Sequence, residues 1–220
     1  MCASCNAPSA SPQRSVDGKP PLALQRPQAV ALFLLIVIGG LIADLASKHY
    51  VFASFLNDPQ LPRRIAVLEL SSDTSPTARE AIQRLHLSRQ VLPGMRFTIT
   101  TNPGVVFGLP MPRWAVLVAT GLTVLLVTSF FAGSHPRAWF VHVAMACILA
   151  GALGNLYDRM FSEVALPGLE PIRRQVRDFI DCSQIHYNSV FNVADALLVV
   201  GAAMLVIHWL GGTLAGRKSR

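Results

Sequence analysis

Asp178 in the segment VRDFID and Asp195 in FNVAD are the two side chains of this sequence best suited to joint chemistry. Two carboxylates held close in a low dielectric cannot both ionise easily, so they share one proton. Such a pair can hydrolyse a peptide: the ionised member draws a proton from water while the protonated one polarises the scissile carbonyl. Asp181 lies in the same segment as Asp178 and competes with it for that role. Asn155 stands three residues before Asp158, and Asn192 three before Asp195. On a helix this spacing puts each Asn and its Asp on one side, where facing amides could bridge two helices. Arg159 adds a fixed positive charge beside Asp158. The trio Asn155, Asp158 and Arg159 also fits a purely structural clasp, since buried ion pairs often only organise a core.

Other hydrolytic routes find little support. The sequence holds no HExxH for zinc and no GxSxG nucleophile elbow. A serine peptidase using Lys48 as base would need a distant serine, because the adjacent Ser47 points elsewhere on a helix. Cys2 and Cys5 form a CxxC without a second pair at zinc-ligand spacing, Cys147 reads as a small core residue, and nothing around Cys182 would activate a thiolate.

The elements that must position these residues follow from composition. Of the 220 residues, 52% are hydrophobic and 14% charged, with mean hydropathy +0.44, against roughly 25% charged in soluble domains. Stretches free of Asp, Glu, Lys and Arg run over 27–43, 114–133, 138–157 and 196–212. A bilayer core needs about 20 apolar residues in helical form. The middle stretches meet this outright, the first by extending to Ser47 and the last by starting at Val190. Four transmembrane helices are predicted, the first retained rather than cleaved as a leader. The net charge of +7 is dispersed through tails and loops, which suits a membrane surface and not nucleic acid.

Residues 1–28, rich in Ser, Pro and Ala, read as a disordered tail, 29–212 as the membrane domain and 213–220 as a basic tail. Between the first two helices, Ser75–Leu87 has a capped amphipathic pattern and Arg96–Thr101 alternates like a strand. Because helices alternate direction, Asp44 and Lys48, then Asn102 to Gly108, then Asn155, Asp158 and Arg159, then Asn192 and Asp195 all fall at one membrane face. Ionisable groups at such depth are costly and functional by default. A proton-coupled transporter could use the same carboxylates, but four helices leave little room for a substrate path and the polar groups do not cross the membrane.

Five segments, DLASK (44–48), NPGVVFG (102–108), GNLYDR (154–159), VRDFID (176–181) and FNVAD (191–195), resemble in order the motifs of bacterial lipoprotein signal peptidases (signal peptidase II). Any one is weak; five in order across 29–212 are specific. The resemblance implies an all-α integral membrane protein of four helices, with a small extracytoplasmic β-containing cradle between the first two. It implies an aspartic endopeptidase of the inner membrane, acting on its outer side as a monomer without metal or cofactor. The implied partners are membrane lipids and a diacylglyceryl-modified prolipoprotein, cut before its lipidated Cys. The family's catalytic aspartates fall on Asp178 and Asp195; Asp44, Lys48, Asn102, Gly108, Asn155, Asp158, Arg159 and Asn192 match supporting residues. Val106 stands where the family pattern has Ala, and the connections 48–102 and 160–177 are longer than usual.

Overall fold

The computed structural model describes residues 22–72, 74–106, 109–187 and 189–218. Helix α1 (Pro27–Leu56) opens on Pro at its first position, where a missing N–H costs nothing. Its 30 residues extend ~45 Å at 1.5 Å per residue, beyond a ~30 Å hydrocarbon core. Phe33, Val37, Asp44, Lys48, Val51, Phe52 and Phe55 are buried along one stripe at helical spacing.

After α1 come α2 (Leu61–Leu70) and α3 (Ala78–Leu85), the latter closed by a capping box between Thr77 and Glu80. Strands β1 (Ser88–Leu92), β2 (Met95–Asn102), β3 (Val105–Val106) and β4 (Leu109–Pro110) lead into α4 (Arg113–Gly133). A short turn then gives α5 (Trp139–Phe161). Beyond it lie β5 (Glu163–Val164), β6 (Ile172–Arg173), β7 (Val176–Asp181), β8 (Val190–Phe191) and α6 (Val193–Lys218). Helices α1, α4, α5 and the Val193–Gly212 part of α6 are long and apolar enough to cross a membrane. The protein is a multi-pass membrane protein.

Two expectations about boundaries change. The cradle does not come from the first connection alone: its four-stranded antiparallel sheet runs β1-β2-β7-β8, so half its strands lie between α5 and α6. Thr100 on β2 pairs with Asp178, and Ile180 pairs with Phe191. β1 takes one edge of β2, and β7 pairs with the other. The last membrane helix begins at Val193 and not at Val190, because 190–191 are spent on β8. Of the expected tails, residues 1–21 and 219–220 lie outside the described residues; a 3-10 turn occupies Ala23–Gln25 and α6 continues to Lys218.

α5 is the central helix, buried from Ala144 through Asp158 along its inner face. Against α6 it packs backbone to backbone. A Cβ on Gly201 would sit 2.6 Å from the Ala144 carbonyl, and one on Gly151 would strike the Ala194 carbonyl. Small residues replace absent hydrophobic driving force with close contact in lipid. Beyond the helices, Val51, Phe52 and Phe55 join Leu61, Ile65, Ile82, Ile99, Val164 and Phe179 in one apolar cluster. That cluster anchors the face of β7 opposite Asp178, which fixes the strand over the helix ends.

Candidate active site

The spacing of Asn192 and Asp195 resolves into a helix start. Asn192 precedes α6, and its Oδ1 accepts the Asp195 N–H at 3.0 Å. The Asp195 carboxylate in turn accepts the Asn192 N–H at 3.3 Å. This reciprocal capping box satisfies orphan N–H groups of the first turn. Asn192 is therefore the cap and not a helical residue, which corrects the reading of both groups as helix-face neighbours.

With its Oδ1 committed to the cap, Asn192 has only its NH₂ to offer elsewhere. It donates to Asp178 at 2.6 Å and to Asn155 Oδ1 at 3.2 Å. One residue thus holds both carboxylates, Asp195 by its backbone and Asp178 by its side chain. Asn155 is oriented the same way. Lys48 can only donate, so Asn155 Oδ1 faces Lys48 Nζ at 3.1 Å and its Nδ2 is left to Asp195 at 2.8 Å.

Beneath the pair lies an ion cluster that water does not reach. Lys48 Nζ meets Asp44 at 2.7 Å and Asp158 at 3.3 Å, all three side chains being 0% exposed. Asp44 also accepts the Ala194 N–H at 2.8 Å, tying α1 to the start of α6. Arg177 clamps Asp158 through its backbone N–H, Nε and Nη2, at 3.0, 3.1 and 2.7 Å. Lys48 Nζ is thus surrounded by three oxygens, those of Asp44, Asn155 and Asp158. Ser47 gives its hydroxyl to the Asp44 carbonyl, so nothing here forms a serine–lysine pair.

Asp178 is buried, and burial together with the charge of Asp195 pushes its carboxyl up to about 8. Asp181 differs. Burial alone would raise it, but the Ser183 N–H and hydroxyl, then Arg96 and Thr98, outweigh that and hold it down at about 2. Arg96 Nε meets it at 2.8 Å. Asp181 is a committed ion-pair partner, whereas Asp178 lines the cavity beside Asp195.

Asp178 and Asp195 open onto a cavity of about 1110 Å³ between α4 and α6, over α5. Its apolar wall includes Val116, Ala119, Leu198 and Val199, while Asn102, Arg159 and His186 supply polar groups at its rim. Arg159 donates Nη1 to the Asn155 carbonyl at 3.2 Å, and its buried Nε has no partner.

Residues 35–211 match the family described as signal peptidase (SPase) II. The chain belongs to that family. The lipoprotein signal peptidase of Clostridium novyi (strain NT) is 34% identical over 117 residues, 52% of this chain and 72% of its own length. That of Mycobacterium leprae (strain Br4923) is 31% identical over 173 residues, 72% of this chain and 80% of its own. A bacterial membrane enzyme solved in meso at 2.3 Å resolution superposes with a TM-score of 0.57 at 23% identity. The match covers 84% of this chain and 90% of that one, and shows a shared fold.

In this signal peptidase II chain Asp44, Lys48, Asn155, Asp158, Asp178, Asn192 and Asp195 form one connected network. Asn102 accepts the Gly104 N–H at 2.9 Å and lines the cavity; Gly108 lies outside the described residues. Arg159 is not the partner of Asp158. Asp158 pairs with Lys48 and Arg177 instead, and Arg177 was missed in the sequence although a basic residue beside Asp178 was the available signal.

Replacing Asp181 with Asn is expected to leave cleavage within about threefold of wild type, since Asp181 turns away from the cavity. Its cost should appear in stability. The folded value of about 2 lies below the ordinary 3.8, so the stabilisation is present above ~4 and disappears as pH falls toward ~2. Thermal unfolding of Asp181→Asn against wild type at neutral and acidic pH reads this directly.

Proposed function

We propose that the chain is an aspartyl endopeptidase that removes the signal peptide from diacylglyceryl-modified prolipoproteins, cutting before the lipidated Cys. The observation that carries the reading is the Asn192-bridged pair opening onto a cavity with an apolar wall. Asp178 carries the shared proton. Asp195, whose two oxygens accept the Asn155 and Asn192 N–H groups, takes the base's role. Asp195 removes a proton from water as its oxygen attacks the scissile carbonyl carbon, while Asp178 hydrogen-bonds the carbonyl oxygen. The tetrahedral intermediate then breaks its C–N bond, and the leaving amine takes up a proton passed through the pair. Relatives named lipoprotein signal peptidase support the substrate class.

The apolar wall of the cavity, with Val116, Ala119, Leu198 and Val199, suits acyl chains. Burying acyl chain contributes about 0.8 kcal/mol per CH₂, so the unmodified precursor should be cut poorly or not at all. In this reading 29–212 is the peptidase domain, a monomer in the bacterial cytoplasmic (inner) membrane with the sheet and site outside. Tails 1–28 and 213–220 and the α4–α5 turn lie in the cytoplasm. Single cysteines in a background lacking the native four test the geometry with a membrane-impermeant thiol reagent. With the inner membrane intact, Ser75→Cys should label and Arg137→Cys should not; the reverse would remove the lipoprotein reading.

A further inference from the structure

Asp178 sits on a strand, and a strand has no intrinsic reason to hold one height against a helix bundle. Two features address β7 from α5. The Asp158 carboxylate accepts the Arg177 backbone N–H, one residue before Asp178, and both guanidinium nitrogens that face it. Asp158 is 0% exposed and Arg177 13%, so water does not compete for the contact. Alternation along the strand sends Arg177 and Asp178 to opposite faces. The clamp therefore grips the strand without occupying the cavity.

Charge gives the second argument. Within the ion-paired cluster two carboxylates, Asp44 and Asp158, meet two cationic side chains, Lys48 and Arg177, while Arg159 stands apart against the Asn155 carbonyl. Without Arg177 one negative charge is left over at low dielectric, close to a carboxylate pair that must ionise only once. The charged and titratable groups around Asp178 are Asp195 on α6, Asp158 and Arg159 on α5, Lys48 and Asp44 on α1, and His186, which lines the same cavity. On β2 the paired position is Thr100. Arg177, on the opposite face of β7, ties the backbone of the strand and a charge of its own to Asp158.

We propose that Arg177 is a positioning residue for the reaction: by clamping Asp158 it sets Asp178 against Asp195 and cancels the surplus charge beneath the pair. The inference rests on the aspartyl reading above. Its test is a kcat and KM profile against pH for Arg177→Met, Arg177→Lys and the double variant Arg177→Met with Asp158→Asn. Arg177→Met should lose about ten- to a hundredfold in kcat, as when a group orienting a reacting side chain is removed, with KM within about twofold. Its alkaline limb should move up by about one pH unit, because an added negative neighbour favours the protonated carboxyl. Arg177→Lys keeps the charge without the fork, so the limb returns while kcat recovers only in part. The double variant removes one charge of each sign, and its limb should return although the clamp is gone. Wild-type kcat in Arg177→Met would overturn the proposal. So would a reduced kcat with an unmoved limb, or failure of Arg177→Met and Arg177→Lys alike to yield monodisperse protein, which would make Arg177 a folding residue only. Asp178→Asn and Asp195→Asn run alongside; activity in either would defeat the parent reading, an outcome distinct from the failures named for Arg177.

Discussion

Asp178→Asn and Asp195→Asn are each expected to lower cleavage by at least about 10³-fold, toward the upper range for removal of a general acid or base. Asn keeps the shape of Asp but neither takes up nor returns the catalytic proton. The two variants should differ in stability. Asp178 faces a donor, the Asn192 NH₂, and an Asn there can turn its oxygen toward it. Asp195 accepts N–H groups on both oxygens, so an Asn there must set its own NH₂ against one of them, leaving a buried donor unsatisfied. Asp178→Asn should therefore unfold at or above the wild-type temperature and Asp195→Asn below it. The wild-type penalty at Asp178 is also pH-dependent. Its folded value of about 8 exceeds the ordinary 3.8, so the contribution of this one group is full below ~4 and is lost as pH rises toward ~8. The thermal advantage of Asp178→Asn should widen across that interval, read by unfolding scans in one detergent.

Cleavage should also collapse as pH rises through about 8, the point at which burial and Asp195 allow Asp178 to lose its proton. Above it the pair holds no proton, and nothing polarises the scissile carbonyl. The rate should then fall about tenfold per pH unit, the behaviour of one essential protonated group. Initial rates on a single lipidated precursor from roughly pH 6 to pH 10 read this limb. A rate flat to the upper end would show that Asp178 does not carry the working proton.

Much of this architecture was legible from charge-free stretches, because lipid leaves a helix no alternative for its backbone polar groups. Parity then placed Asp44, Lys48, Asn155, Asp158, Asn192 and Asp195 at one face, and the structure joins them through hydrogen bonds. Less legible was whatever depended on strand pairing. VRDFID carries no clean alternation, and its partner β2 is some eighty residues away in the other connection, so no local signal names the pairing. α2 went unread because Pro62 and two arginines mask a short apolar pattern. Asn192 looked helical since a three-residue spacing fits a helix face and a capping box equally. Arg177 was hidden for the same reason as β7, as its role appears only once the strand lies over α5.

The aspartyl reading meets its most direct test in the mass of the products. Purified wild-type protein in lipid is incubated with a diacylglyceryl-modified precursor and with the same precursor unmodified, beside Asp178→Asn and Asp195→Asn. The expected result is one cut by the wild type, directly before the modified Cys, with the unmodified precursor and both variant reactions left intact. A cut elsewhere, equal cleavage of the unmodified chain, or the same product from either variant would contradict it.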